Sequence, residues 1–173
     1  MDSPLGQLLL TAREEKLSGL YFVDQSNAPL VKDCVRQDDA PIFALVQEQM
    51  EQFIAGNREC FELPMALSGT PFQLDVWNEI ARVPFGQTIS YSELAWRIGR
   101  ATKDARAIGA ATGLNPIGLI IPCHRVIGKS GDLTGYAGGL ARKRALLKFE
   151  SYRAAGREMV LEMTEAEPEL ALA

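Results

Sequence analysis

The sequence predicts an α+β fold in two parts. A small antiparallel sheet with one helix comes first. A mostly helical part follows, with a helix-turn-helix and a candidate active-site cysteine. Three observations predict it. Apolar residues form two short runs near the start, as the strands of a hairpin do. From Thr70 onward they recur at helical spacing. Late in the chain, Pro122-Cys123-His124-Arg125-Val126 places the only histidine directly after a cysteine.

Residues 5–11 and 17–23 are apolar runs separated by the polar stretch Arg13-Glu14-Glu15-Lys16, which reads as a β-hairpin. Ile42, Leu45, Val46, Gln49, Met50, Phe53 and Ile54 share one helical face over 42–55, and Gly56-Asn57 supplies a stop. Residues 59–63 alternate like a further strand, which makes Cys60 a strand thiol and Cys34 a loop thiol. Residues 67–71 (LSGTP) read as a linker. The expected division is 1–66 as an α+β scaffold, 67–157 as the functional part and 158–173 as an acidic tail.

Thr70 and Pro71 open a helix whose face is Phe72, Val76, Trp77, Ile80 and Ala81, ended by Pro84-Phe85-Gly86. Ser90 with Glu93 three residues on is a capping box for a helix over 91–98. After the turn at Gly99, residues 103–113 form a second helix rich in alanine and glycine. Two short helices across a tight turn are a helix-turn-helix, and small side chains around Arg106 suit a close approach to a narrow groove. Gly118-Leu119-Ile120-Ile121 reads as a buried strand ending at Pro122. Five glycines between Gly128 and Gly139 surround Tyr136, a loop able to bring backbone and an aromatic wall against a flat ligand, or simply a tight hairpin. A last helix over 140–149 has Leu140, Leu146, Leu147 and Phe149 as buried candidates. Glu150 falls at its end, where a helix dipole disfavours a carboxylate, so it either has a partner or is exposed. In the tail, 159–161 can add a strand and the rest is expected to be disordered.

With 173 residues and 47% hydrophobic side chains, the chain can bury a sizeable core. No apolar run approaches the roughly 18 residues of a membrane span. The first residues lack the basic and apolar regions of a signal peptide. Three widely spaced cysteines do not form a disulfide framework, and the expected setting is a reducing cytoplasm. One histidine and no CxxC pair predict no metal site, and no cofactor motif is present. The net charge of −4 conceals an asymmetry. Residues 1–66 carry 5 basic and 11 acidic side chains, residues 67–157 carry 13 and 6, and residues 158–173 carry none and 5. The basic middle segment, which contains the Cys-His pair, suits a phosphate backbone. A free thiol is only a few per cent thiolate at neutral pH, so the adjacent imidazole makes Cys123 a candidate activated nucleophile.

These residues resemble the O6-alkylguanine-DNA alkyltransferases, the methylated-DNA–protein-cysteine methyltransferases. The matching text is Thr70-Pro71-Phe72, Tyr91, Ala105-Arg106-Ala107 with Gly109, Asn115-Pro116, Ile121 to Val126, Gly135-Tyr136 with Gly138-Gly139, and Leu146-Leu147 followed by Glu150. Residues 2–66 match more loosely, and the chain starts short of the family's first strand. The resemblance implies irreversible, single-turnover transfer of an alkyl group from O6-alkylguanine, and from O4-alkylthymine, in double-stranded DNA to Cys123 of a monomeric protein. It implies that Glu150 holds His124, which takes the Cys123 proton through a water, while Asn115 braces the turn and Tyr91 protonates the leaving purine. It implies a minor-groove surface of Ala105, Arg106, Ala107, Gly109, Thr112 and Tyr91, with Arg106 filling the space of the extruded base. It implies a base pocket at Val126, Tyr136, Ala137 and Gly138. Gly118 and Ala137 stand where some members carry bulkier residues, which implies tolerance of larger alkyl groups. The alternative on the same fold is a non-catalytic lesion sensor, a branch that replaces the cysteine. A cysteine hydrolase would need an oxyanion hole, and a simple helix-turn-helix regulator would need no Cys-His pair.

Overall fold

The structure, a computed structural model, describes residues 1–25, 27–29 and 34–163. The expected tail disorder falls almost wholly on 164–173, outside the described residues.

Strands β1 (Leu8–Arg13) and β2 (Lys16–Phe22) pair antiparallel, with Leu8 opposite Phe22 and a register shift at Thr11/Ala12. Glu14 and Glu15 make the turn, both at positive φ. Leu8, Leu17, Leu20 and Phe22 turn inward. They meet helix α1 (Pro41–Ile54), whose buried stripe is Ile42, Val46, Gln49, Met50 and Phe53, whereas Leu45 lies at the solvent edge. Gln49 accepts from the Glu62 amide and donates to the Glu62 carbonyl, so it stands in for a backbone partner.

That bond explains a corrected expectation. Residues 59–63 form no strand; the Gln49 side chain of α1 satisfies the Glu62 backbone instead. The segment meets the sheet at Met65, through one bridge to Leu17. Cys60 is therefore an exposed thiol outside any strand, and Cys34 is likewise exposed.

Helix α2 (Pro71–Ala81) begins with the full reciprocal capping box of Thr70 and Gln73. Val76, Trp77 and Ile80 are buried as expected, but Ala81 is exposed and Glu79 takes its place on the inner side. A two-residue strand, β3 (Ile89–Ser90), leads into α3 (Tyr91–Arg97). Ser90 Oγ accepts from the Glu93 amide, while the Glu93 carboxylate turns away to Arg97, so half of the expected box forms. One 3₁₀ turn (Thr102–Asp104) precedes α4 (Ala105–Gly113). Helix α4 packs on α2 through Ile108 and Ala111, and the buried Trp77 indole donates to the Ala111 carbonyl at 2.8 Å.

After α4 the expected strand over 118–121 is absent. Leu119, Ile120 and Ile121 are buried, which matches the apolar pattern, but the backbone turns. Leu119 has φ +67°, and the Ile121 amide bonds back to the Ile117 carbonyl. A single bridge joins Ile117 to Leu20 on the N-terminal hairpin. Gly118 donates to the Leu20 carbonyl, so it faces that hairpin. Cys123–Arg125 form a 3₁₀ turn that runs into strand β4 (Val126–Ile127), which pairs in parallel with β3.

Helix α5 (Leu140–Ala154) is longer than expected, and Glu150 lies inside it, fully buried. Its inner face is Lys143, Ala145, Leu146, Phe149 and Glu150; Leu140 is exposed and Leu147 half-buried. Phe149 joins Phe53 and Phe85 in an aromatic cluster that connects the two parts of the molecule. Residues 159–161 form no strand, although Leu161 is buried. No helix among the described residues is long and apolar enough to cross a membrane.

Candidate functional site: a buried Cys-His-Glu cluster under a helix-turn-helix

Three segments meet at Cys123. The first is the turn 115–121. Asn115 holds it from the inside: its amide donates to the Ile121 carbonyl at 2.8 Å, and its carbonyl oxygen accepts from the Ile117 amide at 3.1 Å. Both ends of the loop are thus tied to one buried side chain, which fixes Pro122 and the cysteine after it.

The second is α5, which supplies Glu150. Its carboxylate accepts from His124 Nε2 at 2.7 Å, from Arg125 Nε and Nη2 at 2.8 and 2.9 Å, and from the Gly86 amide at 3.2 Å. Burial alone would raise this carboxyl. The His124 ring and the Arg125 guanidinium outweigh burial and hold it at about 2. Glu150 is therefore ionised and acts purely as an acceptor. The imidazole must then carry its proton on Nε2. The other ring nitrogen, Nδ1, is buried with no hydrogen-bond partner among the described residues.

The third segment is the glycine-rich loop. Lys143 of α5 is completely buried, and its Nζ donates to the Val126 carbonyl at 2.6 Å and the Thr134 carbonyl at 2.9 Å. Burial lowers it to about 8. Tyr91, on α3, donates from its phenol to the Thr134 carbonyl at 3.1 Å, and burial raises its pKa. Tyr136 sits edge-on to His124, with ring centroids 6.4 Å apart. Gly138 is required by packing: a Cβ there would lie 2.7 Å from Phe22 and 2.8 Å from Tyr136. Arg142 fastens this loop to the hairpin. It donates to the Gly138 and Leu5 carbonyls, pairs with Asp24 and lies over the Phe22 ring.

Cys123 itself is buried, 6% exposed. Burial pushes its thiol up, and the nearby Asn115 amide and Lys143 cation only partly counter this. The adjacent imidazole predicts an activated thiol. Burial holds the thiol above its ordinary value instead, so Cys123 is protonated at neutral pH in the free protein.

The site residues named from sequence divide into two groups. Cys123, His124, Glu150, Asn115 and Tyr91 converge with Val126, Tyr136, Ala137 and Gly138 around the cysteine turn and the glycine-rich loop. The Val126 amide and carbonyl and the Gly138 carbonyl are already bonded within the protein. On α4, Arg106 and Ala107 are exposed and Ala105 half-exposed, while Gly109 lies beside the Tyr91 ring, 3.7 Å from where a Cβ would stand. Thr112 does not join that surface: it is buried, and its hydroxyl donates to the Ile108 carbonyl. Sequence reasoning missed Lys143, Arg125 and Arg142. The spacing of Lys143, Leu146 and Glu150 puts a lysine on the buried face of α5, which was the available signal. No group of His, Cys, Asp or Glu side chains able to hold a metal occurs among the described residues.

Two family models cover the chain. The 6-O-methylguanine DNA methyltransferase ribonuclease-like domain matches residues 1–67, and the DNA-binding domain of the same family matches residues 71–152. The methylated-DNA–protein-cysteine methyltransferase of Mycolicibacterium paratuberculosis is 45% identical over 150 residues, 87% of this chain and 89% of that one. The enzyme of that name from Methanosarcina acetivorans is 42% identical over 149 residues, 86% of this chain and 94% of the other. The crystal structure of Mycobacterium tuberculosis OGT in complex with DNA superposes with a TM-score of 0.83 at 42% identity, covering 88% of this chain and 92% of that one. Fold, cysteine turn and sequence agree: the chain belongs to the 6-O-methylguanine DNA methyltransferase family.

Proposed function

We propose that this protein repairs alkylated DNA by moving the alkyl group from O6 of guanine, and from O4 of thymine, onto Cys123, once per molecule. The observation that carries the proposal is the orientation of His124. Its Nε2–H is committed to the Glu150 carboxylate, which leaves the Nδ1 lone pair as a base beside the cysteine.

In the proposed reaction the Cys123 proton passes to His124, and the sulfur attacks the alkyl carbon. The S–C bond forms as the C–O bond breaks, and the purine leaves with a proton supplied by Tyr91. The buried thiol suits this sequence. It stays protonated in the free protein and is activated when a bound base completes the site. Tyr91 stays protonated too, and it must release the Thr134 carbonyl to reach the purine. The product thioether has no leaving group toward water, so the protein is consumed.

Attack on a base inside a duplex requires extrusion of the nucleotide. The exposed Arg106, flanked by Ala105 and Ala107 on α4, is the proposed filler of the vacated space, with α4 in the minor groove of a duplex bound by one monomer. Residues 1–66 act as scaffold, and residues 67–157 bind DNA and accept the alkyl group. Incubation with excess O6-methylguanine duplex tests this reading by peptide mass. The Cys123 peptide gains one methyl in place of one hydrogen, and the reaction stops at one per protein. Repeated turnover, or methyl on another residue, overturns it.

A further inference from the structure

Arg125 is a buried cation that the proposed reaction does not use. Its side chain is 7% exposed. Nη1 donates to the Val83 carbonyl at 2.6 Å, and the guanidinium lies 5.8 Å from the Phe85 ring centroid. Nε donates at 2.8 Å to the Glu150 oxygen that also accepts from the Gly86 amide. Nη2 donates at 2.9 Å to the other oxygen, the same atom that accepts from His124 Nε2. Arginine and imidazole therefore compete for one carboxylate oxygen. A buried ion pair is often no more stabilising than apolar side chains of similar volume, so stability alone does not account for the arginine.

Charge shows what this competition does. Glu150 is ionised, so Arg125 already balances it before the imidazole takes any proton. A proton arriving from solvent would add an uncompensated positive charge, which burial disfavours. Without Arg125 the sign reverses. The buried carboxylate would stay uncompensated until the imidazole took a proton, and an imidazolium has no lone pair to offer the cysteine. A proton that comes from Cys123 adds no net charge, because the thiolate remains in the cluster. With Arg125 in place, the site accepts the thiol proton and resists a solvent proton.

We propose that Arg125 is a positioning residue for alkyl transfer, which shares the Glu150 carboxylate and so leaves His124 free to take the Cys123 proton at neutral pH. The proposal rests on the alkyl-transfer reading above. Arg125 acts through Glu150 and His124. The other titratable groups of the cluster are Glu150 and Lys143 of α5, Tyr136 of the glycine-rich loop, Tyr91 of α3 and Cys123 itself. Burial raises both tyrosines and the thiol and lowers Lys143 to about 8. Glu150, despite burial, is held at about 2 by His124 and Arg125. Between about pH 4 and 7 all of these groups keep their charge.

Full-length parent, Arg125→Gln and Arg125→Lys test it. The chain holds one histidine, so NMR of the ring nitrogens follows proton uptake at His124 without overlap. The rate of methyl transfer from free O6-methylguanine is read over the same pH range. Glutamine keeps a donor for the carboxylate and loses the charge. It should move the midpoint of proton uptake up by about one to two pH units, the effect of one nearby charge, and move the acid limb of the rate up with it. At a fixed pH below both midpoints the rate then falls about 10–100-fold, and it recovers as the pH rises. Lysine keeps the charge but loses the fork and should move both midpoints by about half a unit; it carries the test if Arg125→Gln does not fold. A rate lowered equally at every pH, with both midpoints at the parent value, makes Arg125 structural and overturns the proposal. A shifted NMR midpoint with an unshifted rate profile also overturns it, and removes His124 as the base. A parent protein that transfers no methyl overturns the alkyl-transfer reading, and the NMR midpoints still decide whether Arg125 limits proton uptake.

Discussion

Glu150→Gln is the most informative single change, because it keeps shape and removes charge at the centre of the cluster. The carboxylate accepts four hydrogen bonds, from His124, twice from Arg125 and from Gly86. A glutamine has one acceptor oxygen and a donor group, so at least one buried donor of Arg125 or His124 faces an N–H₂. Breaking a buried ion pair by removing one partner costs about 3–5 kcal/mol. The pH linkage gives a similar figure. Glu150 is held at about 2 against an ordinary 4.5, which at about 1.4 kcal/mol per unit amounts to roughly 3 kcal/mol. The sign follows from the direction: the folded value is depressed, so this stability is present above pH 4.5 and is lost as pH falls toward 2. Urea titration of parent and variant should therefore show a gap of about 3–5 kcal/mol at pH 7, which closes as pH falls through that window. In melting temperature the gap is roughly 6–20 °C for a chain of this length. The variant should also lose alkyl transfer by about 10²–10⁴-fold, because an amide N–H₂ facing Nε2 moves the imidazole proton to Nδ1 and removes the base. A variant with parent stability, a pH-independent gap or a rate within three-fold of parent would refute the reasoning.

His124→Ala should slow transfer by about 10–10⁴-fold and leave duplex affinity nearly unchanged, as read by stopped-flow rates and anisotropy. The Cys123 thiol of the free protein should titrate above its ordinary value because it is buried; alkylation by iodoacetamide against pH measures this, and a thiolate at neutral pH contradicts it. Arg106→Ala should lower the ratio of duplex to free-base rates, since only the duplex needs extrusion; an unchanged ratio removes Arg106 from that step. Gly138→Ala should destabilise the protein by about 1–3 kcal/mol through the clash with Phe22 and Tyr136, and should raise the concentration of free base needed for half-maximal rate.

By itself the sequence determined the elements whose signals are local. The hairpin, the stripe of α1, the Thr70 box and the two short helices follow from periodicity, caps and turn residues that lie within a few positions of each other. The Cys-His pair was also legible, because one imidazole beside one thiol is a chemical statement without any fold. Tertiary structure decided what burial does to those residues. The apolar run 118–121 looked like a strand, but Asn115 and the hairpin carbonyl of Leu20 satisfy its backbone, so it turns. Residues 59–63 lost their strand to a side chain 13 positions away, since Gln49 satisfies Glu62 directly. Glu150 was ambiguous between a partner and exposure, and only the packing of α5 brought it against His124 and Arg125. The same burial raised the Cys123 thiol, against expectation from the neighbouring histidine, and lowered Lys143. Arg142 bonds Leu5, 137 positions earlier, and no local pattern encodes that contact. Periodicity reports that a residue is buried; which polar group meets it there depends on segments distant in the chain, and those partners set its charge.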